Sequence, residues 1–343
     1  MKFMIKKMRN SIALFASICL CFSMWFPVPA FAAKNPSLPN YKVTPDVTYG
    51  QGEIVREGES VLRDLWMDVY EPLAKTKSLR PAIIFTFGGS FHRGSPRTTF
   101  DVGGVQDTSA GDYCQKFAMQ GYVCFAIDYR LMPENPVPSG DGYTEDDIDM
   151  TKVGLTLPGV NKIRASMGLG PLDIDDPKDL KLMTDGVLSA AEDLRTAVRH
   201  IRKSARIYNI DPDSIVLGGF SAGAITSLNV AHGMHEPIAG LFMLSGSILG
   251  LDILKMVTPA SASPPILMLQ SQMDLEPSIV STPMLMERYQ EVGVPYEFAW
   301  VPASGHYYTS GATSLAGDGS RLSIEQRIVQ FIEEVVGESP SYE

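Results

Sequence analysis

The sequence predicts an α/β fold, a mostly parallel sheet with helices on both faces, and three observations carry that expectation. Short apolar runs without alternation, Ala82–Phe87 and Tyr122–Ile127 among them, suit strands buried on both sides. Helical patterns separate such runs. The clearest, Asp185–Ala205, sets Leu188, Ala191, Leu194, Val198 and Ile201 on one stripe. Lastly, a β-branched stretch at Ser214–Leu217 passes through the turn Gly219-Phe220-Ser221-Ala222-Gly223 into a helical segment, Ala224–Ala231.

The chain opens on an address signal. Lys2, Lys6, Lys7 and Arg9 precede an apolar run, Ser11–Phe26, and Ala30-Phe31-Ala32 has the small-x-small pattern of a signal-peptidase site. This predicts a signal peptide over residues 1–32, cleaved after Ala32. Cys19 and Cys21 follow Ile18 and Leu20, where lipid attachment wants a small residue, so no lipid anchor is expected. No later stretch is apolar enough to span a bilayer, so no stable membrane anchor is expected after cleavage. Residues 33–343 suit one α/β domain. They carry 25 basic and 39 acidic side chains, a net charge of −14 that repels nucleic acid and anionic lipid. Export permits a disulfide between Cys114 and Cys124, with buried free thiols as the alternative.

A β-rich start, Lys42–Tyr49 and Leu65–Tyr70, leads to the strand Ala82–Phe87. A helix at Gly111–Met119 turns at Gly121 into the strand Tyr122–Ile127. The stretch Leu131–Thr184 breaks this rhythm. It is rich in Pro, Gly and Asp, holds one amphipathic piece near Val160–Met167, and by its length predicts a lid or cap. The acidic cluster Glu145-Asp146-Asp147-Asp149 fits no calcium-loop spacing and reads as a solvated face, so no metal site is expected. Asp211-Pro212-Asp213 then turns the chain toward Ser221. Strands at Leu241–Leu244, Pro265–Leu269 and Glu297–Val301 follow, with a helix at Pro283–Val292 and a last helix at Ser323–Val336.

Chemistry gathers at the Gly-x-Ser-x-Gly turn. A strand, this turn and a helix form a nucleophile elbow, in which glycines make room for a strained serine. Serine needs a base within hydrogen-bond reach. Of His92, His200, His232, His235 and His306, the last directly follows the final strand, where Gly305 allows a sharp turn, at the sheet edge where functional loops gather. An acid must orient that base, and Asp274, after strand Pro265–Leu269, is favoured over Asp252 and Glu276. Oxyanion donors are expected from Ala222 N–H and from the loop Phe87-Gly88-Gly89-Ser90-Phe91.

With these residues in place, the chain resembles the α/β-hydrolase superfamily, particularly its carboxylesterase and hormone-sensitive-lipase-like branch. The likeness runs from about Leu65 to the C-terminus. It is carried by Gly88-Gly89, Asp128-Tyr129-Arg130-Leu131, the turn at Ser221, Asp274 and Gly305-His306. It implies an eight-stranded sheet, ester hydrolysis through an acyl-enzyme without a cofactor, and oxyanion donors at Gly89 and Ser90 beside Ala222. The sequence departs from the family where Phe87 and Ser90 replace the histidine and third glycine of His-Gly-Gly-Gly. It departs again in the acid loop, Gln270-Ser271-Gln272-Met273-Asp274. Phe91, His92, Phe220 and Tyr307 adjoin the reacting groups and are expected to shape the substrate pocket. The expected function is a secreted serine carboxylesterase acting on small-molecule esters with short or medium acyl groups, or on aryl esters. A peptidase or amidase, an acyltransferase and a non-catalytic hydrolase-like binding protein are the rivals.

Overall fold

In a computed structural model, strands β1 (Tyr41–Arg56) and β2 (Glu59–Pro72) form a long antiparallel ribbon. The structure describes residues 40–259 and 263–337, so the expected signal peptide and its cleavage site lie outside the described residues. Strand β3 (Arg80–Thr86) is buried at every position, which is why it reads as an unbroken apolar run. Helix α1 (Ala110–Met119) starts at a capping box: Ser109 Oγ accepts from Asp112 N, and the Asp112 carboxylate accepts from Ser109 N. Strand β4 (Val123–Ile127) follows, and a disulfide joins Cys114 of α1 to Cys124 of β4.

Residues 131–184 hold more regular structure than their composition suggests. After the short strands β5 (Pro136–Val137) and β6 (Ile148–Asp149) comes helix α2 (Val153–Ser166), and the long helix α3 (Pro177–Lys203) begins within the stretch. Helix α3 starts eight residues before the expected Asp185 because Asp176 caps it, accepting from Lys178 N at 2.9 Å, with Pro177 at the first helical position. Beyond a single turn, α4 (Ala205–Tyr208), strand β7 (Ile210–Phe220) delivers the serine to α5 (Ala222–Leu228). Strands β8 (Gly240–Leu244) and β9 (Gly250–Leu251), the turn α6 (Ile253–Met256) and strand β10 (Ile266–Ser271) come next. Helix α7 (Glu276–Val292), strand β11 (Tyr296–Val301), the hairpin β12 (Thr313–Ala316) and β13 (Arg321–Ser323), and helix α8 (Ile324–Val336) complete the described chain.

The main sheet runs β13-β12-β11-β10-β8-β7-β3-β4-β2-β1-β5. Strands β4, β3, β7, β8, β10 and β11 pair in parallel, and antiparallel strands close both edges. Among the described residues the main sheet therefore has eleven strands where eight were expected. The additions, β5, β12 and β13, are only two to four residues long, too short for a two-residue period to register, and tertiary pairing alone defines them. Side chains of α1 and α8 cover one face of the sheet; α3, α5 and α7 cover the other. No described helix is long and apolar enough to cross a membrane.

The fold places the site through its strand order. From β3 the chain steps to β4 on one side, whereas β7 lies on the other. Such a switch point leaves a crevice beyond the carboxyl ends of the two strands. The Gly88-Gly89 loop leaves β3 there, and Ser221 leaves β7.

Candidate active site

Ser221 has φ 54° and ψ −117°, a backbone state that costs a side chain about 1–3 kcal/mol. The glycines around it are required by space rather than by flexibility. A Cβ on Gly219 would run into the Gly223 carbonyl, and one on Gly223 would run into the Thr86 carbonyl. Ser221 N donates to Leu244 O at 2.8 Å, tying the turn to the neighbouring strand β8. The geometry thus presents one hydroxyl above the sheet, at the start of α5.

His306 Nε2 lies 2.9 Å from Ser221 Oγ, and its Nδ1 lies 2.6 Å from Asp274 Oδ1. A carboxylate can only accept, so Nδ1 carries the hydrogen and Nε2 offers its lone pair to the serine hydroxyl. The Asp274 side chain is completely buried, which leaves its charge dependent on protein donors. Three more converge on it: Ser245 Oγ at 2.5 Å and Ser271 N at 3.1 Å on Oδ2, and Leu275 N at 2.8 Å on Oδ1. Ser245 is the functional residue the sequence did not announce. It follows β8 with φ 50°, and no local motif marks a serine in such a loop as the support of an acid 29 residues later. The competing residues have other tasks. Asp252 caps α6 by accepting from Lys255 N, Glu276 opens α7 at the cavity rim, and His200 lies within α3. His232 is buried, its Nε2 donating to Pro264 O and its Nδ1 accepting from Tyr289 Oη, both at 2.9 Å.

A cavity of about 210 Å³ opens beside Ser221 and His306. Phe91, Met132, Val160, Met183, Ile225 and Leu249 give it an apolar wall, while Ser245, Ser247, Ser278 and Glu276 line a polar one. Ser90 and Ala222, two of the three expected oxyanion donors, border this cavity. Gly89, the third, is off its wall. At φ 137°, any Cβ on Gly89 would strike the Arg93 carbonyl, so only glycine fits. The N–H groups of Ser90 and Phe91 find no acceptor among the described residues.

Of the four residues expected to shape the pocket, only Phe91 lines it. Phe220 and Tyr307 stand behind the imidazole instead. Their rings stack with centroids 5.5 Å apart, and they approach the His306 ring to 5.4 and 5.1 Å. Both therefore brace the base. His92, 1% exposed, is buried within the loop after β3 and is absent from the cavity wall. The sequence placed these residues near the site by adjacency, but adjacency does not tell which way a ring turns.

The family model described as BD-FAE matches residues 180–238, a segment that spans most of α3, β7 and α5 and includes Ser221. No curated protein matches the chain. Among solved structures, a propionate-bound thermophilic esterase from Thermogutta terrifontis superposes with a TM-score of 0.55 at 17% identity, covering 89% of this chain and 98% of its own. Esterase 2 from the same organism, phosphorylated by paraoxon, gives a TM-score of 0.54 at 17% identity with the same coverage. An α/β-hydrolase enzyme from a Medee basin deep-sea metagenome library gives 0.52 at 13% identity, covering 87% of this chain and 99% of its own. The switch-point crevice, the strained serine turn and these likenesses lead to one conclusion: the chain has the α/β-hydrolase fold, similar to that of solved esterases.

Proposed function

We propose that the chain is an exported serine carboxylesterase that hydrolyses small carboxylic esters through an acyl-enzyme, using Ser221, His306 and Asp274 as a catalytic triad. The observation that carries this is the unbroken hydrogen-bonded line from Ser221 Oγ through His306 to Asp274, 2.9 and 2.6 Å, at the edge of an apolar cavity. His306 Nε2 takes the serine proton as Oγ attacks the ester carbonyl, and Asp274 stabilises the imidazolium that forms. Negative charge on the carbonyl oxygen falls to the N–H groups of Ala222, Ser90 and the neighbouring loop peptide. His306 then protonates the leaving alcohol, and water repeats the cycle on the acyl group.

The cavity of about 210 Å³ beside Ser221, with its apolar lining, suits a short or medium acyl group. A propionate-bound esterase and an esterase phosphorylated by paraoxon share this fold, which supports reading the site as one for small esters. The disulfide and the basic, apolar leader support export.

A series of p-nitrophenyl esters of rising acyl length, run beside a fluorophosphonate probe, tests the reading. Wild type is expected to cleave the shortest members fastest and to label once per chain. Ser221→Ala is expected to lose about 10⁶ in kcat and all labelling. Wild-type protein that neither labels nor turns over any ester would overturn it.

A further inference from the structure

The loop after β3 holds two consecutive non-glycine residues in the left-handed region, Ser90 at φ 55° and Phe91 at φ 59°. Such a pair persists only where its surroundings over-determine it. Three backbone bonds help: Gly89 O accepts from His92 N at 3.1 Å and Arg93 N at 3.3 Å, and Phe91 O accepts from Met132 N at 2.7 Å. These bonds leave the peptide between Ser90 and Phe91 to be fixed by a side chain. His92 Nδ1 lies 2.8 Å from Ser90 O. Because a trans peptide points its C=O and N–H in opposite directions, holding the Ser90 carbonyl also aims the Phe91 N–H.

The other edge of the same imidazole meets a different element. Arg164 Nη1, near the end of α2, lies 3.2 Å from His92 Nε2, and Arg164 Nε donates to Gly170 O at 2.6 Å, which anchors the guanidinium. The hydrogens can be assigned without ambiguity. A carbonyl accepts and a guanidinium donates, so the chain runs from Arg164 N–H to Nε2 and from Nδ1–H to Ser90 O, with His92 neutral. Burial lowers the affinity of His92 for a second proton, the Ser90 carbonyl opposes this, and Arg164 adds to the lowering. Helix α2 also lends Leu155, Pro158 and Val160 to the cavity wall.

We infer that His92 is a positioning residue for the oxyanion loop and that Arg164 fixes its tautomer, coupling the helix over the cavity to the donors beneath it. The inference rests on the serine-esterase reading and deepens it. When α2 is seated, the Phe91 peptide is held ready; when α2 moves away, Nε2 loses its donor and the loop loses its brace. The oxyanion site is then complete only under a closed cavity.

The test compares His92→Leu, His92→Asn and Arg164→Met in the full chain. Leucine removes both contacts, asparagine keeps a donor close to the Nδ1 position, and methionine removes only the guanidinium. The expected results are a fall in kcat of about 10²-fold for His92→Leu with KM nearly constant, and a smaller fall, about tenfold or less, for His92→Asn and Arg164→Met. Inhibition by a boronic acid, whose trigonal boron becomes tetrahedral when Ser221 Oγ adds to it, is read beside inhibition by the product carboxylate. His92→Leu should weaken the boronate far more than the carboxylate, a split that simple loss of stability does not produce. If His92→Leu retains kcat within twofold, or if both inhibitors weaken equally, the positioning role is overturned. Failure of the esterase reading looks different: wild type itself would show no turnover and no fluorophosphonate labelling.

Discussion

At the scale of residues, each reacting side chain of the site is fixed by the neighbours that touch it. Ser221 was legible because the glycines on either side mark the turn: Gly219 is dictated by the Gly223 carbonyl within the turn, and Gly223 by the Thr86 carbonyl of the neighbouring strand β3. Asp274 and His306 were legible by their places after β10 and β11. Ser245 was not, since its partner lies 29 residues away and only the packing of β8 beside β10 unites them. A hydrogen bond to a buried carboxylate is worth about 1.5–3 kcal/mol. Ser245→Ala is accordingly expected to cut kcat about tenfold with KM little changed, measured on a short p-nitrophenyl ester. A wild-type kcat in this variant would show that the other three donors suffice.

At the scale of elements, periodicity located helices better than it bounded them. Helix α7 was expected from Pro283, but it begins at Glu276 with Pro277 in its first turn, and Pro283 lies inside it. Proline marks a first turn well; with two candidates, the sequence does not say which one is used. Helix α2 was reduced to its second half for a similar reason. Gly154, Pro158 and Gly159 obscure its pattern, while packing against α7 and the apolar wall of the cavity holds it. The two cysteines were compatible with bridge or thiols, and the contact between α1 and β4 brings them together. Their bridge closes a loop with a sequence separation of 10, for which loop entropy gives about 3 kcal/mol. Urea unfolding of the Cys114→Ala, Cys124→Ala double variant should show a loss of that order. An unchanged midpoint and slope would mean that the bridge contributes nothing to stability.

At the scale of the molecule, acid sensitivity follows from a histidine that takes no part in the proposed chemistry. Burial holds His232 neutral and lowers its pKa to about 4, with the Pro264 carbonyl opposing the shift and His235 adding to it. The unfolded chain binds this proton near pH 6.5, so between about pH 6.5 and 4 the unfolded state carries more protons than the folded one. Stability linked to His232 is therefore full above pH 6.5 and falls as the pH drops, by about 3 kcal/mol at pH 4. Denaturant midpoints of wild type should decline over that interval, whereas His232→Gln should decline less steeply. Identical slopes would remove His232 from the account. On the same scale, the strand order explains why the site needs distant parts of the chain. The loops after β3, β7, β8, β10 and β11 meet only because those strands are neighbours in one sheet.

The central claim is that Ser221 becomes acylated, and trapping the acyl group tests it most directly. Wild type mixed with a p-nitrophenyl ester, quenched in acid within milliseconds and digested, is expected to carry the acyl mass on the peptide containing Ser221. The adduct should vanish in Ser221→Ala and fall steeply in His306→Gln. Turnover with the acyl group on another residue, or with no covalent adduct under conditions where p-nitrophenol is released in a burst, would contradict the account.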